Sequence, residues 1–280
     1  MIFRNLPVPT SVRERVTPRH LVAFGLGWLA LFFVLPILVL VWQSLGIGTG
    51  EPLSAYQQAL SGLYLWTIVR SFYYGIATTI VTLALAYAFS YFVVFWTSMK
   101  NLFLILVVLP LWIAYIIRYL GIQLFFSPTG PFVDLFGTDF GFLFSTRGVI
   151  LGMTIAYLPF AILPIYNSMN AIDRDHIHAS RVLGAGSLRT VYSVVFPLSL
   201  SGIVAAGLIV FILSSGSFLA PAVLGSSENF MIANMIERSY TELFNIELAA
   251  ALSVIYTIIL LALIAVFNSY VNLGEVFENI

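Results

Sequence analysis

The sequence predicts an all-α membrane protein of six transmembrane helices with a cytoplasmic helix pair between spans four and five. Three observations carry this expectation. Hydrophobic residues make up 60% of the 280 positions and charged residues 9%, with a mean hydropathy of +1.01, whereas a soluble domain carries roughly 25% charged residues. Apolar windows long enough for a helix to cross the hydrocarbon core recur at 21–45, 66–96, 102–126, 148–169, 198–224 and 248–271. No ten-residue alternation of apolar and polar positions recurs, so the backbone is expected to satisfy its polar groups inside helices rather than between barrel strands.

Before the first window, residues 1–20 carry Arg4, Arg13, Arg15 and Arg19 with Pro7, Pro9 and Pro18, and lack the short apolar core of a cleavable signal. They read as a cytoplasmic tail. The six-span body is expected over 21–272, and 273–280 as a second cytoplasmic tail. Lys and Arg near span ends favour the cytoplasmic side. With the first span starting inside, that side collects Arg4, Arg13, Arg15, Arg19, Lys100, Arg174, Arg181 and Arg189, eight of the 12 basic residues. The outer side keeps Arg70, Arg118, Arg147 and Arg238, and most of the acids: Glu51, Asp134, Asp139, Glu228, Glu237, Glu242 and Glu247. Both termini are therefore expected in the cytoplasm.

Ionisable groups deep in a bilayer usually mark ion sites or proton relays. The windows place none there. Arg118 lies about 17 residues from the inner start of span three, roughly 25 Å up at about 1.5 Å per residue, where the side chain can snorkel to the outer interface. A secondary transporter is disfavoured by this pattern, since coupling ions need a carboxylate or an unwound midplane site. The motifs HExxH and GxSxG and the Walker phosphate loop are absent, which disfavours a membrane enzyme. There is no cysteine, and His20, His176 and His178 are poorly spaced to share a metal. Neither a metal nor a nucleic-acid partner is expected.

The connection at 171–196 is longer than a plain loop requires. Asp173 can cap a short helix ending near Leu183, with Gly184 in the left-handed position that terminates it. Ser187 can cap a second helix that stops at Phe196, because Pro197 has no amide hydrogen to continue it and suits the first turn of span five. Ile177, Leu183, Leu188, Val191 and Val195 cannot all be hidden by so small a unit, so a protein partner is expected, although packing of the pair on its own bundle would also serve.

Span five opens with Ser201, Gly202, Ala205, Ala206 and Gly207, small residues that allow close helix approach. Farther along, SSGSFLAP places Ser214, Ser215 and Ser217 beside Gly216 and Pro221. Irregular backbone at membrane depth is tolerated only against protein or a watery cavity, so a path or gate is expected here. Alternatively the hydroxyls bond back to their own helix.

These segments resemble a known family. His178-Ala179-Ser180, Gly184-Ala185 and Phe196-Pro197 are similar in spacing to the EAA loop of ABC importer permeases, with His178 and Ser180 standing where Glu and Ala are usual. Leu109-Pro110-Leu111-Trp112 with Ile116-Ile117-Arg118-Tyr119, and FLAPAVLG with MIANMI, resemble the spermidine/putrescine-type members. The resemblance implies a type I importer permease fold in which His178, Ala179, Ser180, Leu183, Gly184, Ala185 and Pro197 couple to a cytoplasmic ATPase. That dimeric partner would bind ATP and magnesium, leaving this chain without cofactor or catalytic residue. It also implies a second, homologous permease, an extracytoplasmic solute-binding protein, and the cytoplasmic membrane of a bacterium or archaeon. Tyr115, Arg118, Tyr119, Ser214, Ser217 and Phe218 are the expected path residues. Relatives that carry cations often have an acid where Ser217 stands. Aromatic faces at Tyr115, Tyr119 and Phe218 can still attract an ammonium group. A polyamine-like solute is the first expectation, and an anionic solute such as a phosphonate or oxyanion the alternative.

Overall fold

The computed structural model describes residues 18–47, 52–138 and 140–270. Residues 1–17 of the first expected tail, all of the second, and the acids Glu51 and Asp139 lie outside the described residues. Among those described every regular element is helical. Four helices are long and apolar enough to cross a membrane unaided: α1 (Val22–Ser44), α2 (Gly62–Phe95), α5 (Thr146–Asn170) and α11 (Ile246–Tyr270). Two further spans exist only if bent pairs count as one crossing: α3 with α4 (Lys100–Trp112 and Tyr115–Phe125, bent by 101°), and α7 with α8 (Ser187–Leu198 and Leu200–Ser215, bent by 68°). Between these lie α6 (Arg174–Val182), α9 (Leu219–Leu224) and α10 (Ile232–Thr241).

The core forms where α2, α5 and α8 pack together. Helix α5 is central: 67% of its most apolar stretch is buried, against none of that in α1. Small residues set how near the axes come, since without a hydrophobic drive between helices in lipid, close van der Waals contact must hold them. A Cβ on Gly202 of α8 would collide with the Pro164 carbonyl and Ser168 of α5, and one on Gly75 of α2 would press on the Ser215 backbone. Helices α1 and α11 pack on each other at the periphery.

Proline shapes the interruptions. In α1 the turn Ala30–Val34 is widened, with the Leu35 amide donating to the Ala30 carbonyl, five residues back. Pro36 follows at once. The same device recurs in α7: Val191–Val195 is widened, the Phe196 amide donates to the Val191 carbonyl, and Pro197 follows. A widened turn moves the carbonyl that a proline ring would otherwise strike. The second elbow helix therefore does not stop at Phe196 as its sequence suggests. It continues through Pro197 to Leu198, and the chain turns at Ser199 instead. Ser187 is not its cap either. The capping position falls on Gly186, which offers no side chain, and Ser187 is the first helical residue.

Candidate functional site

Two regions carry the expected functional residues: the elbow made by α6 and α7, and a cluster of polar side chains where α4, α5 and the end of α8 meet.

At the elbow, Asp173 caps α6 as expected, its Oδ1 accepting from the Asp175 amide at 3.0 Å. Gly184 adopts φ +83°. Its amide donates to the Arg181 carbonyl (2.9 Å) and the Ala185 amide to the Ser180 carbonyl (3.1 Å). This pair of bonds is a Schellman terminus, which needs a left-handed residue that only glycine supplies without strain. The two helices are then clasped by a hydroxyl pair, Ser180 Oγ to Thr190 Oγ1 at 2.9 Å. Ile177 and Val195 are buried beneath the clasp, while Val182 and Leu183 are each 87% exposed, Leu188 77% and Tyr192 74%. His178 and Ala179 are exposed, and Ser180 and Ala185 half-buried. The elbow is thus a preset bracket holding an apolar tip away from its own bundle.

In the second region the sharp bend before α4 decides the geometry. It carries Arg118 to the middle of α5, where Nη1 donates to the Ala156 carbonyl at 3.0 Å. That carbonyl lies in the turn weakened by Pro159, which cannot donate to Ile155. The guanidinium also lies 4.2 Å from the centroid of the Tyr115 ring. The expectation placed Arg118 by counting along span three, but the chain bends by 101° before α4 and the side chain lies against the middle of α5.

Around Arg118, Tyr115 stacks on Tyr119 (6.5 Å between centroids) and tilts against Tyr157 (5.9 Å). Tyr119, Tyr157 and Ser217 are buried neighbours. The Tyr119 hydroxyl lies within reach of those of Tyr157 and Ser217, whereas two buried polar atoms nearby have no hydrogen-bond partner: Arg118 Nε and the hydroxyl of Thr154, one turn from Tyr157. Buried polar atoms are nearly always paired, so these two call for an explanation. The structure therefore brings Tyr115, Arg118, Tyr119 and Ser217 together. It places Ser214 elsewhere, in the α2 contact, where its hydroxyl donates to the Val210 carbonyl of its own helix (2.6 Å) and to the Gly75 carbonyl (3.3 Å).

Span five breaks at Gly216 to Phe218, between α8 and α9, where its glycine and serines suggest. The residue that holds the break open is one the sequence did not single out. Asn234 of α10 is buried; its Nδ2 donates to the Phe218 carbonyl (3.0 Å) and its Oδ1 accepts from the Met231 amide (3.0 Å). The available signal was a lone amide side chain in the otherwise apolar run MIANMI. We expect Asn234→Ala to leave the buried Met231 amide without its acceptor and the Phe218 carbonyl with the Ala222 amide alone, at 3.3 Å, a loss of about 1–3 kcal/mol. Amide exchange at 216–219 should then quicken by about tenfold or more, with the core of α5 unchanged. Unaltered exchange would show that the break is held by something else.

Comparison with known proteins bears on the chain as a whole. Residues 20–274 match the family described as binding-protein-dependent transport system inner membrane component. The spermidine/putrescine transport system permease protein PotB of Escherichia coli is 28% identical over 248 residues, covering 84% of this chain and 90% of that protein. PotB of Haemophilus influenzae is 28% identical over 260 residues, covering 88% and 91%. In fold, the chain is similar to one in the crystal structure of a bacterial alginate ABC transporter complexed with an alginate pentasaccharide-bound periplasmic protein. That likeness has a TM-score of 0.77 at 15% identity and covers 90% of this chain and 92% of the other.

Proposed function

Because the chain belongs to the family of binding-protein-dependent transport system inner membrane components, we propose that it lines one half of a solute path whose opening is driven by a separate ATPase. It is a permease subunit of an ABC importer, a membrane transport component. In our reading its elbow points to the cytoplasm, both termini lie on that side, and a second homologous permease completes the path. A solute-binding protein delivers cargo from outside, and ATP and magnesium belong to the partner ATPase. The observation that carries the coupling role is the bracket at Gly184, which holds Val182, Leu183, Leu188 and Tyr192 in the open. Apolar tips of this kind favour a protein groove.

The path runs, in this reading, past Tyr115, Arg118, Tyr119, Ser217 and Phe218. The orphaned polar atoms there support it, since a passing polar solute or water would satisfy them. Two solute classes compete. A polyamine-like solute is supported by the PotB relatives, whose names state spermidine and putrescine. An anionic solute such as a phosphonate or oxyanion is favoured by Arg118. Its charge already occupies the Tyr115 face that an ammonium group would use. At about 5 Å and an effective dielectric near 20, a passing ammonium meets roughly 3 kcal/mol of repulsion.

The test is reconstitution with the cognate ATPase and binding protein, asking which solutes stimulate hydrolysis. Hydrolysis unaffected by any solute would remove the importer reading. The variant Arg118→Gln then separates the two classes. Uptake of spermidine should rise if the guanidinium is a barrier to a cation. Uptake of an anion should fall by about tenfold or more if it is a ligand.

A further inference from the structure

A second charged feature lies behind the elbow, away from its apolar tip. Arg174, His178 and Arg181 follow one another at helical spacing on α6, within one face. They line a cavity of about 220 Å³ together with Tyr91, Phe95 and Trp96 from the inner end of α2, and Ser187 and Thr190 from α7. None of the cavity-lining residues is acidic. Among the described residues the only ion pair is Arg238 with Glu242, far along the chain, so neither arginine nor His178 has a carboxylate partner. On α6 itself, Asp173 is engaged in capping and Asp175 does not line the cavity. Val182, Leu183, Leu188 and Tyr192 of the exposed tip do not line the cavity, whereas three residues from the end of span two do.

We propose that this cavity binds the phosphate of an anionic phospholipid headgroup in the leaflet on the elbow's side. The chemistry is complementary on three counts. Two guanidinium forks match phosphate oxygens with charge-assisted hydrogen bonds. The Ser187 hydroxyl adds a further donor at the rim. Trp96, 76% exposed beside the cavity, is the kind of aromatic that sits at the headgroup level and accompanies a lipid chain outward. Basic pockets between helices at the cytoplasmic surface attract anionic headgroups through the surface potential as well as by contact. This assignment rests on the cytoplasmic placement of the elbow. Its ligand would bridge α2 and the α6–α7 bracket, tying the bracket's stance to the lipid around it.

The full-length chain is placed in nanodiscs holding equal phosphatidylcholine and phosphatidylglycerol, and the lipid retained after release is identified by native mass spectrometry. Wild type is expected to keep phosphatidylglycerol in preference to phosphatidylcholine. The Arg174→Gln/Arg181→Gln variant should lose that preference by about tenfold or more, whereas Arg189→Gln, which lies outside the cavity, should keep it. No preference in wild type, or equal preference in the double variant, overturns the proposal. A parallel arm uses phosphatidylcholine nanodiscs with inorganic phosphate. Phosphate retained there in the same arginine-dependent way, at the expense of phosphatidylglycerol in the first arm, would assign the cavity to a free anion and overturn the lipid. Loss of ATPase association by the double variant in phosphatidylcholine alone would overturn it in favour of a carboxylate from that partner. Because binding is read on this chain by itself, a failed lipid result leaves the importer reading intact, and failed transport leaves this one.

Discussion

Gly184→Val is expected to abolish ATP-driven transport and association with the ATPase while membrane insertion stays normal. The cause is conformational rather than steric. A Cβ at this position would meet nothing within 4 Å, so there is no collision to relieve. The φ of +83° is the obstacle, because a β-branched residue there costs about 1–3 kcal/mol. The cheapest relief is to give up the two bonds that end α6, from Gly184 to the Arg181 carbonyl and from Ala185 to the Ser180 carbonyl. Once they are lost, nothing fixes the angle between α6 and α7, and the apolar tip no longer presents one shape. Transport should fall by about thirtyfold or more, the factor that corresponds to the middle of that energy range. Gly184→Asn provides the control, since asparagine tolerates the left-handed region far better than valine. Uptake assays in vesicles, with co-purification of the ATPase, check both variants. If valine transports as well as wild type, the bracket is not the coupling element. If asparagine fails as badly as valine, something other than backbone conformation is being disturbed.

The second large effect is expected inside the bundle. Gly202→Leu should lower the thermal stability of the purified chain and the yield of folded protein, because the axes of α5 and α8 are set by the absence of a side chain. Even a Cβ would strike the Pro164 carbonyl and Ser168, and the Pro164 backbone cannot move without distorting α5, the most buried of the four unbent spans. Ser168 is also committed, donating to the Ile165 carbonyl at 3.1 Å and approaching the Ser199 carbonyl at 3.4 Å. Overpacking at such a contact costs about 1–3 kcal/mol or more. Gly207, five residues on, makes the comparison. A Cβ there meets only the end of Leu83 at 3.4 Å, a flexible atom that can yield. Gly207→Leu should therefore be tolerated far better in a thermal melt, and equal losses at the two positions would refute the close-approach account.

The sequence made the spans legible because hydrophobic length is a one-dimensional property. Five of the six expected windows overlie helices or helix pairs within a few residues at most ends, and Asp173 and Gly184 occupy the cap and terminus their chemistry indicates. What it concealed was direction. The window over span three is continuous in hydropathy, yet the chain turns by 101° after Trp112. No local residue except Pro110 hints at this, and a proline is equally at home in a gentle kink. The contact of Arg118 with Ala156 of α5 was hidden for that reason. Asn234 was missed for a different one: its partner, the Phe218 carbonyl, is 16 positions away and becomes available only where span five breaks. Ser187 seemed a natural cap, but capping depends on which residue leaves the helical region first, and Gly186 does so.

The widened turn at Val191–Val195 fixes which way the rest of the molecule sees the bracket. One additional residue in a turn offsets everything beyond it by about 100° around the axis relative to an uninterrupted helix. The face that Leu188 and Tyr192 show is therefore set in phase against Pro197 and α8 by a single extra amino acid. Shortening the stretch by one position would make a more regular rod while aiming the bracket about a quarter-turn aside. In this segment chain length works as an angular setting, and substitutions that keep the count are gentler than any deletion, whatever their chemistry.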